Sequence, residues 1–306
     1  MKIAITGSSG LIGTKLVATL EGAGHEVVRV TRPSSESTDG EITWQPSEGA
    51  IDPADLEGFD AVINLNGRSI GERRWTEAEK ALIYDSRIDS TRLLATTLAG
   101  LEDKPSVFVS ASAIGYYGDR GDEVLTEDAE PGEGFFPRVC ADWEAMTAPA
   151  ADAGIRVVTI RTGVVLDGDG GALGRLLAPL GPSWISPYRW GLGGWIGSGR
   201  QWMSWISMDD EVRAIVHLLG SEVSGPVNLV APEPVRNKTF MKAVGTALGR
   251  PVWLPIPKFV LKLFLGTELA RNTLFDSLRV SSQRLQDDGF VFEDTDLVAA
   301  LREEIG

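Results

Sequence analysis

The stretch Thr6-Gly7-Ser8-Ser9-Gly10-Leu11-Ile12-Gly13 decides how this chain is read. It follows a short β-branched run, Lys2–Thr6, and opens a segment in which Ile12, Leu16 and Leu20 recur at every fourth position, the spacing of one helix face. Glycines stand at 7, 10 and 13, and in a strand–turn–helix each has its own task. Gly7 permits the tight turn off the strand, Gly10 lets the main chain approach a diphosphate, and Gly13 lets the helix pack closely on the sheet. The free N–H groups and positive dipole end of the helix then face that anion. Contacts to a dinucleotide are expected from Gly7, Ser9, Gly10, Leu11, Ile12 and Gly13. A glycine triplet alone is a weak sign; a strand before it and a patterned helix after it make it a strong one.

Working outward, Glu26–Thr31, Ala61–Leu65, Ser106–Ser110 and Arg156–Ile160 read as further strands. Between them, Arg87, Thr91, Leu94 and Leu98 line one helix stripe, and Phe135 to Ala151 reads as another helix. Strands alternating with helices predict an α/β fold, a Rossmann doubly wound parallel sheet with a smaller mixed C-terminal substrate lobe. The boundary falls after Leu166: residues 1–166 form the nucleotide domain, segments around 205–232 return to it, and 167–306 make the lobe. Residues 167–205 are rich in glycine and hold Trp184, Trp190, Trp195 and Trp202, a composition of a binding or lid region. Those tryptophans suit an apolar wall over a substrate and, equally, a lobe or homodimer interface.

Strand two ends in Val30-Thr31-Arg32. An acidic residue here would accept from the ribose 2′-hydroxyl of NAD; a hydroxyl and a guanidinium suit a 2′-phosphate instead. NADP(H) is the expected cofactor. Sheet-end loops on the carboxyl side line the ligand crevice, which brings Asn64-Leu65-Asn66-Gly67 beside the adenosine. A plain Asn-Gly turn has the same appearance.

Composition narrows the partners. The chain has 306 residues, 43% of them apolar, and a formal net charge of −14. That acidity argues against nucleic acid or an anionic membrane as partner, since either calls for a basic patch. A small-molecule substrate is the partner expected. A lone cysteine, Cys140, allows no intrachain disulfide, and with only His25 and His217 there is no zinc cluster to assemble, so no metal is expected. No targeting segment and no apolar run of membrane-spanning length is visible, which makes the cytoplasm the expected compartment.

Several motifs together carry a family resemblance. Thr6–Gly13, Asn64–Gly67, and Ser110-Ala111-Ser112 before Tyr116-Tyr117-Gly118 resemble the extended short-chain dehydrogenase/reductase superfamily. Arg74-Trp75, Ser86-Arg87, Trp143-Glu144, Arg161-Thr162-Gly163-Val164-Val165-Leu166, Gly170-Gly171-Ala172, Gly191–Gly194 and Ile196–Gly199 are similar to its atypical branch of epimerase family proteins, NAD-dependent epimerase/dehydratase-like. The tail from Gly249-Arg250-Pro251 to Gly289-Phe290 resembles that branch's C-terminal module. The resemblance implies NADP(H) contacts at Thr31, Arg32, Leu65, Asn66 and Arg87 and near Val165, and a substrate lobe drawn from the C-terminal half. Ser110 and Ala111 border the same strand end, and Arg161 suits either a phosphate or carboxylate, or a strand-end anchor.

One departure bears on activity. The superfamily moves a proton with Tyr-x-x-x-Lys on a helix, the lysine lowering the tyrosine pKa. Those positions fall here on Phe136 and Cys140, and none of Tyr84, Tyr116, Tyr117 and Tyr188 has lysine four residues on. Ser112, at the superfamily's active-site serine position, and Tyr116 or Tyr117 are the replacement candidates for an oxidoreductase or epimerase-like reaction. A catalytically weak NADP(H)-binding regulator is the alternative. Asp209 and Asp210 are expected as helix caps, and Cys140 as an inert buried residue.

Overall fold

The computed structural model describes residues 1–33, 40–71, 73–168, 170–177 and 188–305. The chain opens with β1 (Lys2–Thr6), α1 (Leu11–Gly22), β2 (Glu26–Thr31), β3 (Ile42–Gln45), β4 (Ala50–Ile51) and β5 (Ala61–Asn64). The long α2 (Glu77–Gly100), β6 (Val107–Ala113), β7 (Val124–Leu125), α3 (Phe135–Ala145), α4 (Ala148–Asp152), β8 (Arg156–Thr162) and β9 (Val164–Leu166) follow. Then come α5 (Gly171–Leu177), β10 (Gly193–Ile196), β11 (Trp202–Met203), β12 (Trp205–Ser207), α6 (Met208–Gly220) and β13 (Gly225–Leu229). The tail holds β14 (Val235–Arg236), α7 (Asn237–Ala247), β15 (Val252–Ile256), α8 (Lys258–Leu265), α9 (Thr267–Ala270), β16 (Arg279–Val280), α10 (Gln283–Asp287) and α11 (Leu297–Ile305).

The main sheet runs β13-β8-β6-β5-β1-β2-β3-β4, parallel throughout except for the antiparallel β4 on its edge. Strand alternation sends Ile3, Ile5, Ile63, Val109 and Ile160 to one face, where they meet Leu16 and Leu20 of α1 and Ile215 and Leu218 of α6. Ala4, Val62, Phe108 and Val157 go to the other, against Leu94 and Leu98 of α2 and Ala150 of α4. This is the doubly wound sheet the sequence predicts, and strand order reverses between β1 and β5, leaving a crevice at their carboxyl ends. Gly225–Leu229, far along the chain, supplies the outermost parallel strand beside β8. A second core gathers Leu166, Trp205, Phe240, Val244 and Leu301 under the C-terminal lobe.

Three local readings change. The helix expected over Phe135–Ala151 is two, because α4 begins with a proline in its first turn, where a missing N–H is harmless but continuation from α3 is not. The cap of α6 is Ser207, whose Oγ accepts from the Asp210 amide at 3.1 Å. Asp210 instead accepts from the main-chain amides of Glu293 and Asp294, fastening the tail to the sheet. Trp184 lies outside the described residues; Trp205 is buried in the second core, and Trp202 lies between Arg236 and Arg279 with its indole N–H donated to Asp122.

The turn after β1 makes a sharp test of the packing. A Cβ at Gly13 would stand 2.1 Å from the Gly7 carbonyl oxygen, which is main chain and has nowhere to go. Gly13→Ala is expected to destabilise the protein by about 1–3 kcal/mol, read as a lower denaturant midpoint at unchanged slope.

Candidate cofactor crevice and active centre

Gly7 has φ +68° and its missing Cβ would overlap the Leu65 carbonyl at 2.7 Å, so the turn after β1 and the turn after β5 touch through bare main chain. Gly10 differs: a Cβ there meets only the Gly7 oxygen at 3.2 Å, and the residue is exposed. Helix α1 starts at Gly10 with no side-chain cap and no acidic residue in its first turn. The first intrahelical bond is Thr14 N–H to Gly10 O at 3.0 Å, so the amides of Leu11, Ile12 and Gly13 point outward with no helical acceptor. An uncapped, exposed helix start of this kind is suited to an anion.

Around it the expected contact residues fall into two groups. Ser9, Leu11 and Gly67 are exposed, Ile12, Leu65, Asn66 and Ala111 partly so, and all sit at the carboxyl ends of β1, β5 and β6 or the start of α1. Arg32 is exposed at the end of β2, while the Thr31 hydroxyl donates to Glu41 at 3.0 Å. The Asn64 side chain, by contrast, is fully buried. It accepts from Thr6 Oγ1 at 2.7 Å and donates to Thr91 Oγ1 at 2.8 Å, which also receives the Trp143 indole N–H at 2.7 Å. Asn64 therefore shapes the turn from beneath, accepting also from the Asn66 amide at 3.3 Å. Val165 is buried in β9, paired with Ile206.

Arg87 is the outlier of the set. Its guanidinium is buried, lies beneath Gly67, donates through Nη1 to the Ile83 carbonyl and stacks over Trp143, yet its Nε has no partner. Burial pushes it down to about 10. A buried cation with an unspent donor beside an open turn asks for an anion or hydroxyl. The Ser110 hydroxyl, at the end of β6, is likewise buried without a partner.

The positions of the absent Tyr–Lys pair are apolar. Phe136 sets the edge of its ring against Gly115, where even a Cβ would be 2.3 Å from the ring, and packs with Trp75, Ile83 and Cys140. Cys140 is fully buried and its thiol pushed up to about 12 by burial, an inert residue as expected. One turn further along the same helix stripe stands Glu144, and there the polar chemistry gathers. Ser112 Oγ donates to Glu144 Oε1 at 2.6 Å, and Arg161 grips both carboxylate oxygens, Nε to Oε1 and Nη2 to Oε2, each at 2.8 Å. Arg161 Nη1 donates to Tyr117 Oη at 2.9 Å and to the Glu127 carbonyl at 3.2 Å. Tyr117 Oη donates in turn to Asn228 Oδ1 at 2.6 Å. The register accounts for the cluster: Ser112, Arg161 and Asn228 are direct neighbours across β6, β8 and β13.

This placement revises two site expectations. Arg161 spends every guanidinium nitrogen inside the cluster, so it anchors the strand end and meets no ligand in this arrangement. Burial pulls its pKa down, but the Glu144 hydrogen bonds and charge outweigh that and hold it high. Tyr117 has no exposed surface, and burial pushes its phenol up to about 12, which removes it from the proton chemistry. Tyr116 is partly exposed with its ring 3.5 Å from the Arg161 guanidinium carbon; burial raises it as well. Glu144 is what the sequence reading passed over. Its signal was the spacing Phe136, Cys140, Glu144, one helix stripe at successive fourth positions.

The C-terminal lobe closes over this region. Leu269 of α9 inserts among Trp75, Ile83 and Phe136, and Lys80 of α2 bridges to Glu268 at 2.5 Å. Arg74 donates to the Leu263 carbonyl of α8.

A family model described as NAD dependent epimerase/dehydratase family matches residues 3–230. The chain belongs to this family. A second model, a domain of unknown function (DUF1731), matches residues 256–304, the closing lobe. Epimerase family protein Mb2239 of Mycobacterium bovis is 42% identical over 300 residues, covering 98% of this chain and 96% of that protein. Epimerase family protein SDR39U1 of Homo sapiens is 34% identical over 307 residues, covering 99% of both chains. The crystal structure of human SDR39U1 with NADPH superposes with a TM-score of 0.89 at 33% identity, over 100% of this chain and 99% of that one. Like the rest of its family, the chain has the short-chain dehydrogenase/reductase fold with a Rossmann-type nucleotide-binding domain. Among the described residues no helix is long and apolar enough to cross a membrane, and no group of His, Cys, Asp and Glu is arranged to hold a metal.

One buried acid behind the site gives a pH prediction. Glu211, at the start of α6, has no exposed surface; one oxygen accepts from Thr162 Oγ1 at 2.7 Å and the other has no partner. Burial pushes its carboxyl up to about 8 from 4.5, so the folded protein keeps a proton that the unfolded chain releases. Its contribution to stability is complete below pH 4.5 and is lost as pH rises towards 8. Glu211→Gln is expected to gain on the parent as pH rises through that window, by at most about 1.4 kcal/mol per pH unit, in denaturant melts at matched pH.

Proposed function

We propose that the chain is an NADP(H)-dependent oxidoreductase or epimerase-like enzyme acting on a small molecule in the crevice between the main sheet and the C-terminal lobe. The observation that carries the reading is the uncapped start of α1 over the Gly7–Gly13 turn, an anion cradle aligned with the switch in strand order. The amides of Leu11, Ile12 and Gly13 would hold the diphosphate. Leu65, Asn66 and Gly67 would flank the adenosine, and Arg32 would meet a 2′-phosphate. Arg87 Nε and Ser110 Oγ, both unspent, would take hydroxyls or phosphate oxygens nearer the reacting end. A nicotinamide nucleotide bound there supplies hydride exchange with a carbon bearing oxygen. NADPH in the human relative's structure supports the choice of cofactor.

Ser112 takes the place of the acid/base group, since Phe136 has no proton to give and Tyr117 is sealed inside. Tyr116, partly exposed, is the second candidate for contact with substrate. The direct test is purified protein with NADPH deuterated at the transferable position and a panel of aldehydes and ketones. Deuterium should appear in an alcohol product; none with any carbonyl, while the nucleotide stays bound, contradicts catalysis. That outcome is the one favoured by the second reading, a nucleotide-binding regulator, for which the apolar Phe136–Cys140 stripe speaks.

Cofactor choice has its own test. Arg32→Ala is expected to weaken NADPH at least ~tenfold and NADH less than ~threefold by fluorescence titration, because one charge-assisted phosphate contact is removed. Equal loss for both nucleotides would assign Arg32 elsewhere.

A further inference from the structure

Glu144, the acceptor of the Ser112 hydroxyl, also borders a groove open to solvent. The groove, of about 590 Å³, lies beside α3 and α4, the edge strand β13 and its neighbour β8, lined by Glu144, Thr147, Val157, Thr159, Ser224 and Pro226 among others. It reaches the first residues of β8, towards the amino ends of the strands and away from the crevice. Glu144 forms part of its wall, with its side chain 13% exposed, while Ser112 behind it is only 5% exposed. Thr159 also lines the groove and is 5% exposed, bringing a hydroxyl to its wall where an ordered water can bind.

We propose that Ser112 and Glu144 form a proton relay joining the active centre to bulk water through this groove. The proposal rests on the oxidoreductase reading above and supplies what the missing tyrosine and lysine would have done. In the oxidising direction a substrate hydroxyl gives its proton to Ser112 Oγ as the Ser112 proton passes to Glu144 Oε1 across 2.6 Å. A nicotinamide nucleotide bound in the crevice would accept the hydride from the carbinol carbon, leaving a carbonyl. Glu144 then releases the proton to water in the groove and returns to its starting form; reduction runs the same path backwards. Arg161, bound to both oxygens, fixes the carboxylate plane so that one oxygen faces Ser112. The path matters because nucleotide, substrate and the α8–α9 lobe together would close the crevice side. Ser112 touches substrate; Glu144 acts through it and is a positioning and relay group.

Two measurements test this, one of them free of turnover. In isotope-edited infrared spectra after a rapid acid jump, the carboxyl band that vanishes in Glu144→Gln reports its protonation. The relay predicts the same rate with and without saturating NADPH, and a rate lowered at least ~tenfold in Ser224→Trp, which fills the groove rim and touches neither partner. A rate slowed by NADPH and indifferent to Ser224→Trp overturns the proposal. In deuteride transfer, Glu144→Ala should lose at least ~100-fold and recover with added formate, and recovery should fail when Ser224→Trp is added. Transfer within about threefold of the parent in Glu144→Ala also overturns it. If the unaltered protein transfers no deuteride yet the infrared rates behave as stated, the oxidoreductase reading falls and the solvent connection stands. The opposite infrared result removes the relay whether or not deuteride moves.

Discussion

The contact between the turn after β1 and the turn after β5 governs the rest of the molecule. Gly7 lies against the main chain of Leu65 and Asn66, and Gly13 against the Gly7 carbonyl, with no room for a side chain at either place. Because main chain meets main chain, α1 starts directly above the point where strand order reverses, with its first amides unspent. The buried Thr6–Asn64–Thr91–Trp143 hydrogen-bond chain holds that arrangement from below and ties both turns to α2 and α3. Binding and fold share one constraint: the geometry that lets the helix pack is the geometry that leaves its end open to an anion.

A second polar layer is set across β6, β8 and β13. Its members are interdependent, since Glu144 accepts from Ser112 and Arg161, Arg161 from its side supports Tyr117, and Tyr117 reaches Asn228. Such a buried network is costly when half-satisfied and rigid when complete, and here each charged oxygen of Glu144 has a donor. Phe136 and Cys140, at the positions of the superfamily's Tyr–Lys pair, are apolar, and the polar cluster stands one helical turn further along α3 at Glu144. The lobe matched by the second family model packs Leu269 over the vacated apolar position, which makes it part of the site's wall.

The doubly wound sheet was legible because its information is local: a glycine spacing between a strand and a helix, alternation of strand and helix, and the Arg87–Leu98 stripe on α2. What escaped the sequence depends on contacts between distant segments. Glu144 looks like any helix carboxylate until β8 brings Arg161 to it and β6 brings Ser112. Tyr116 and Tyr117 are neighbours in sequence, yet one reaches the surface and the other is sealed against Asn228 from a strand more than a hundred residues on. The helix after Gly134 continues past Ala145 in periodicity alone, and a proline at the start of α4 breaks it. Asp210, read as a cap by its place in a first turn, is claimed by the amides of Glu293 and Asp294.

Nucleotide binding in this crevice depends most directly on the main-chain amides at the start of α1. The decisive measurement is an amide-resolved NMR titration of the intact protein with NADPH. Large saturable shifts at Leu11, Ile12 and Gly13, centred there and spreading to Leu65–Gly67, are the predicted result. Saturable binding that leaves those amides unmoved, or no saturation at all, contradicts it.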